Sequence, residues 1–417
     1  MILILISVVI IIGIIFGFLY FKNKKTPADV TVTNPVYQTF EPFGSSEGIA
    51  VNETSQVQTN IKETEKFYRL TDFSTAGATF YQDKKILSGQ PTTTGESKID
   101  PKTKKVILEI INFDLIPSLR YTERSTGHVY NMEIKSKNKQ VISNTTIPAI
   151  YEVLFNKDAN NIIYRYLSED RKIINSYLAK LGSANGEFLS QNILSIATSP
   201  NKDKFFYFIK DNNGGVLGIT RLFNSSTKTQ IWASSFTEWI PQWVTEQSIF
   251  LTTKASYMTE GGLFSLNIKT GVLTKVLGEI YGLTTLANND GTKVLYNNST
   301  SSGPKLNIFN LKNNSSLAIN IYGLPEKCVW DKGNIYIYCA IPNTIESNQY
   351  PDIWYQGLVS FDDSFIKIDS NTGKASVLIN SSDVTSVDAI NLFLSDNEEQ
   401  LFFTNKKDYT LWEFDLF

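Results

Sequence analysis

The chain has 417 residues, enough for two or three average domains or for one large all-β unit, with 42% hydrophobic and 12% aromatic residues. Its 39 basic and 41 acidic residues leave a formal charge of −2, so no basic field exists to neutralise the phosphates of a nucleic acid. One histidine and two cysteines exclude most zinc sites and most Ser-His or Cys-His catalytic arrangements, which leaves carboxylates as the basis of any enzymatic reading.

The chain begins with an apolar run from Ile2 to Phe21, broken only by Ser7, Gly13 and Gly17. As a helix it would rise about 30 Å, the thickness of a hydrocarbon core. Tyr20 and Phe21 stand where interfacial aromatics are favoured, and Lys22, Lys24 and Lys25 end the run. The alternative, a cleaved signal peptide, fits less well, because the run is long and no small-residue cleavage motif precedes the lysines. Residues 1–25 are therefore expected to be a single-pass transmembrane anchor. Residues 26–65, rich in Thr, Asn, Gln, Pro and Glu, are expected to be a disordered stalk. The lysines after the helix favour a cytoplasmic bulk, whereas the stalk and a cysteine pair further on favour the outside.

From residue 66 onward one unit recurs: strand, polar turn, aromatic strand. It is seen in Phe155 to Tyr164, Thr198 to Tyr207, Leu286 to Tyr296 and Leu394 to Phe403. A third strand and a turn ending in a permissive residue follow, as in Leu263 to Gly271, Leu306 to Asn314 and Phe365 to Gly373, before a fourth strand. Units open near Ala76, Ile150, Leu194, Trp239, Leu283, Leu324 and Asp388. A repeat of about 40 to 45 residues with four antiparallel strands is a propeller blade. The fold expected is thus an all-β, seven-bladed β-propeller over residues 66–417, with six or eight blades as alternatives and two sandwich domains as the rival. The tail, 410–417, reads as a third strand with nothing left to make a fourth, and 66–73 is a lone strand before the first unit. Pairing them would close the ring and cover two edges.

These turn-plus-strand units, with their closing Lys269-Thr270-Gly271 and Asn371-Thr372-Gly373 turns, resemble the TolB and WD40-like propeller repeats of bacteria. The stretches Arg120 to His128, Leu324 to Trp330 and Tyr350 to Gly357 are similar to a family of membrane-anchored bacterial propellers. That resemblance implies an anchored propeller outside the cytoplasm and brings no activity with it.

Several constellations bear on chemistry. Cys328 and Cys339 flank the turn Asp331 to Asn334 and fall opposite each other within one or two positions, so a cross-strand disulfide is feasible; two buried thiols are the alternative. His128 lacks a second histidine or a nucleophile elbow and reads as a strand residue. Acidic turns such as Asp211 to Gly215 and Asn288 to Gly291 match no calcium loop and read as hairpin turns. Carboxylate-pair chemistry needs two acids across a pocket, with Glu123, Glu238, Asp352, Asp362 and Asp363 as candidates by position. Aromatic residues gather at Trp232, Trp239 and Trp243, where blade packing is the bland reading, and at Tyr350, Trp354 and Tyr355 in the long insertion Asn343 to Ser360. Loop aromatics are common binding anchors.

These features lead to the expectation of a non-catalytic protein-binding scaffold, without cofactor or metal, at the bacterial cell envelope. The expected contact residues are Tyr350, Asp352, Trp354, Tyr355, Trp239 and Trp243, and the expected partners are the membrane, through residues 2–21, and an unidentified protein. The rival reading is a carbohydrate-binding or carboxylate-dependent glycan-active protein.

Overall fold

The structure, a computed structural model, describes residues 64–86, 96–99, 106–109, 113–183 and 186–417. The expected anchor 1–25 and the stretch 26–63 of the expected stalk lie outside them. Among the described residues no helix is long and apolar enough to cross a membrane.

The described chain folds as a seven-bladed propeller. Blade 1 pairs Thr75–Ile86, Phe113–Glu123, Val129–Glu133 and Lys139–Ser143 in that order. Blade 2 pairs Ile150–Phe155, Asn161–Leu167, Ile174–Lys180 and Gly186–Phe188, and blade 3 pairs Ile196–Thr198, Lys204–Lys210, Val216–Leu222 and Lys228–Ser234. Blade 4 has Trp239–Thr245, Ser248–Thr253, Glu260–Asn267 and Leu273–Tyr281; blade 5 has Thr285–Ala287, Lys293–Thr300, Gly303–Asn310 and Ser315–Tyr322. Blade 6 has Cys328–Trp330, Tyr336–Pro342, Asp363–Asp369 and Ala375–Ile379. Blade 7 has Ala389–Leu394, Gln400–Asn405 and Leu411–Asp415, completed by Phe67–Arg69. The insertion after the first strand of blade 1 carries Glu96–Ile99 paired with Val106–Glu109.

Burial follows position in the blade. First strands of neighbouring blades meet around the axis. Second strands lie between adjacent blades and are buried on both faces, so they read as unbroken apolar runs such as Phe205 to Phe208 and Leu401 to Phe403. Fourth strands, such as Ala375–Ile379, are largely exposed. Seven-fold stacking of this kind buries each apolar face only against the next blade.

The first-to-second-strand turns share one backbone solution. Ala159, Lys202, Gly291, Asn334 and Glu398 take φ of 53°, 52°, 71°, 58° and 59°, and each donates its N–H to the carbonyl three residues back. The residue opening the turn then caps it: Asn156 Oδ1 accepts from Asn161 N at 2.8 Å, Ser199 Oγ from Lys204 N at 3.1 Å and Asp331 Oδ1 from Ile335 N at 2.8 Å. These turns form the lower face, and neighbouring ones are bonded. Lys157 N donates to Lys202 O at 3.1 Å, Asn201 Nδ2 to Glu246 Oε1 at 3.0 Å, and Asn289 N to Asn334 Oδ1 at 2.9 Å.

The ring closes where Phe67 pairs with Phe414 and Arg69 with Trp412. Phe67 is fully buried, with ring centroids of Phe365, Phe403, Trp412 and Phe414 at 5.4 to 5.8 Å. In blade 6, Cys328 stands directly opposite Cys339 and the two are joined by a disulfide.

Candidate functional site

The upper face, where the innermost strands begin, has two unlike halves. Over blades 5 to 7 it is covered by the insertion 343–362, which contains one helical turn, Asp352–Tyr355. The insertion is tied down on several sides. Ser299 Oγ of blade 5 donates to Tyr350 O at 2.6 Å, Tyr257 N of blade 4 to Asp352 Oδ2 at 2.7 Å, and Lys406 Nζ of blade 7 to Trp354 O at 2.6 Å.

Beneath it lies a fully buried ion cluster. Lys327 Nζ is 2.5 Å from Asp388 Oδ1 and 2.8 Å from Asp363 Oδ2, with the Trp354 and Phe361 rings each 5.3 Å from the ammonium. Asp388 also accepts from Trp354 Nε1 at 2.9 Å and Phe361 N at 3.1 Å. Asp363 is less well served: Oδ2 accepts from Ala389 N at 2.6 Å, but Oδ1 is buried without a hydrogen-bond partner. Burial therefore pushes its carboxyl up to about 6, against the pull of Lys327. Alongside, the Tyr355 hydroxyl and Thr284 Oγ1 donate to Glu326, whose carboxyl burial holds above its usual range. With Lys327, Asp363 and Asp388 all fully buried, the cluster is a lock between blade 6, its insertion and blade 7.

Over blades 2 to 4 the same strand ends are open and frame a cleft of about 520 Å³. Glu152 enters it from the first strand of blade 2, and its register partner Arg165 pairs with it through Nη1. Arg165 Nη2 donates to Ile193 O at 2.6 Å, and the guanidinium lies 5.1 Å from the Tyr151 ring. On the other flank Glu238 meets Lys254 at 3.1 Å, both exposed. Trp239, Ile240 and Pro241 supply the apolar wall, with Ile240 48% exposed. The cleft thus offers two carboxylates, two cations and an apolar side.

The loop rings expected on the surface are mostly turned inward. Tyr350 and Trp354 are buried with Leu324 and Phe361, Asp352 is half-buried on the Tyr257 amide, and Tyr355 alone of the three rings is exposed. Trp239 and Trp243 pack with Phe206, Phe208 and Leu251 between blades 3 and 4; Trp239 also reaches the cleft wall. Of the candidate acids, Asp362 pairs with Lys407 at 2.6 Å and Glu123 accepts from Tyr130 at 3.1 Å; the histidine, His128, stands near Thr146. Only Glu238 reaches the cleft. Sequence reasoning missed Glu152, Arg165 and Lys254. The available signal was a lone arginine inside the aromatic run Ile162-Ile163-Tyr164-Arg165-Tyr166, a buried-strand charge that must find a partner.

The class these features define is a seven-bladed β-propeller with an asymmetrically covered upper mouth. No protein-family model matches the sequence, and no curated protein matches it. Solved structures do resemble it. TolB from Acinetobacter baumannii is 12% identical over 71% of this chain and 78% of that one, with a TM-score of 0.41. Oligogalacturonate lyase from Vibrio parahaemolyticus is 8% identical over 82% of this chain and 98% of that one, with a TM-score of 0.48. An oligogalacturonate lyase in complex with manganese gives the same identity and coverage with a TM-score of 0.51. The resemblance to TolB-type repeats stands at the level of the fold.

The expectation of a non-catalytic scaffold is corrected by these comparisons. It leaned on the propeller being a platform for binding, and the neighbour with a TM-score of 0.51 shares this fold and is a lyase. Among the described residues no three His, Cys, Asp or Glu side chains gather as a metal site.

Proposed function

We propose that the protein is a glycan-active propeller, which takes a saccharide chain across the open half of the upper face and cleaves it by carboxylate acid–base chemistry. The observation that carries this reading is the placing of Glu152 and Glu238 on one cleft of about 520 Å³ beside an apolar wall. The fold shared with an enzyme named for oligogalacturonate adds support. Sugars present apolar ring faces and polar edges, which the Ile240–Pro241 wall and the two ion pairs match. One carboxyl delivers a proton to the glycosidic oxygen as its C–O bond breaks; the other carboxylate takes a proton from the attacking water. Arg165 holds Glu152 in place on one flank of the cleft, and Glu238 stands beside Lys254 on the other, so the two carboxyls share the acid and base roles. Residues 2–21 anchor the chain in the cytoplasmic membrane, with the propeller on the oxidising outer side, where the Cys328–Cys339 disulfide is stable.

The test is a panel of neutral and uronate oligosaccharides, assayed for new reducing ends with the wild-type protein, Glu152→Gln and Glu238→Gln. A product whose rate falls about 10²–10⁴-fold in either variant is expected. Variants as active as the wild type, or no product from any glycan, would sink the reading.

A further inference from the structure

The lower mouth, on the side opposite the cleft, holds a second cavity of about 490 Å³ between the innermost strand of blade 1 and the turns of blades 2, 3 and 7. Its charges are handled unevenly. Asp396 has both oxygens engaged, Oδ2 by Gln82 Nε2 at 3.0 Å and Oδ1 by Lys332 Nζ at 3.0 Å. Lys202 differs. Its Nζ donates to Thr79 Oγ1 at 2.8 Å, and among the described residues no carboxylate lies within ion-pair distance of it. Two of its three N–H groups therefore remain for an acceptor. Lys157, exposed in the adjoining turn, likewise has no acid partner among the described residues, and Asp158 sits exposed on the rim.

One further observation bears on Lys202. Burial pulls its ammonium below the usual lysine range, opposed by Asp396 in the same cavity. A half-buried amine with spare donors, beside an aspartate whose oxygens are already engaged, gains from an anion that brings several acceptor oxygens.

The geometry points to this cavity as a binding site for a phosphate group, held by Lys202 and Lys157 with the Thr79 hydroxyl beside them. Free phosphate and the phosphodiester of a lipid headgroup share that chemistry. Calorimetric titration of the full-length protein with inorganic phosphate, and separately with glycerophosphoglycerol, distinguishes the two sources, with ionic strength held constant by chloride. Binding of at least one probe is expected in the wild type, weakened about tenfold or more in Lys202→Met and to a smaller degree in Lys157→Ala. Lys157→Ala removes an exposed side chain, so its melting temperature in chloride should be unchanged. Failure of both probes to bind, or equal affinity in the wild type and both variants, would overturn the site. Glycan cleavage at the opposite face is independent of either result.

Discussion

Over blades 5 to 7 the upper strand ends are covered, and the charges there are fully buried around Lys327. Over blades 2 to 4 equivalent strand ends are open, and their charges line a cleft with Glu238 and Lys254 in solvent. Both halves are built from the same four-stranded repeat. The difference comes from the insertion 343–362, which brings Tyr350, Trp354 and Phe361 down on one side only. Charge beneath an apolar cover can serve only as structure, because water and ligand are excluded; charge left uncovered can serve chemistry. The contrast also assigns different energies to ion pairs that look alike in a sequence.

The largest effect should come from the sealed half. Lys327→Met leaves Asp363 and Asp388 buried without their cation, and about 3–5 kcal/mol of stability should be lost in urea unfolding. A loss below about 1 kcal/mol, the range of exposed pairs, would mean that the cluster is not sealed.

A smaller and more diagnostic effect concerns pH. With its carboxyl raised to about 6, Asp363 keeps its proton in the folded state where the unfolded chain, at the usual 3.8, has lost it. The folded state thus binds more protons between about 4 and 6, so this group's stabilising contribution is complete below that window and is lost as pH rises through it. Adjacent Asp362, lowered by Lys407 and Ser386, has the opposite sign, contributing at higher pH and losing that contribution on acidification. Urea midpoints measured from pH 4 to 7 should show a downward component in the wild type that Asp363→Asn removes. An unchanged pH profile in that variant would refute the assignment.

The smallest effect belongs to the open half, where Lys254→Ala should change stability by about 0.5 kcal/mol or less, since both partners are exposed. A cost like that of Lys327→Met in the same urea assay would erase the distinction between the halves.

Much of the architecture was legible because it is local. The turns Asn156 to Asn161, Ser199 to Lys204, Asn288 to Lys293 and Ser395 to Gln400 declare themselves by an opening Asn or Ser in a polar run, the residue that caps each turn in the structure. The double-sided burial of second strands likewise appears as aromatic runs. The candidate site was much less legible. Glu238 was one of several acids chosen by position, and Glu152 gave no sign until its cross-strand neighbour Arg165 was placed. The rings at Tyr350 and Trp354 looked like surface anchors because they sit in a loop; that loop folds back onto Leu324 and Asp388, far away in sequence.

The sequence by itself determined the repeating strand, its turn chemistry and the unfinished last unit, because each depends on residues within a few positions of one another; it favoured seven blades and left six or eight open. Tertiary structure alone decided which carboxylates meet, which lysine is sealed by two aspartates and which is left without one. Those outcomes depend on the curvature of the ring and on one insertion lying over half of it, which bring together groups from different blades and set how much water each retains.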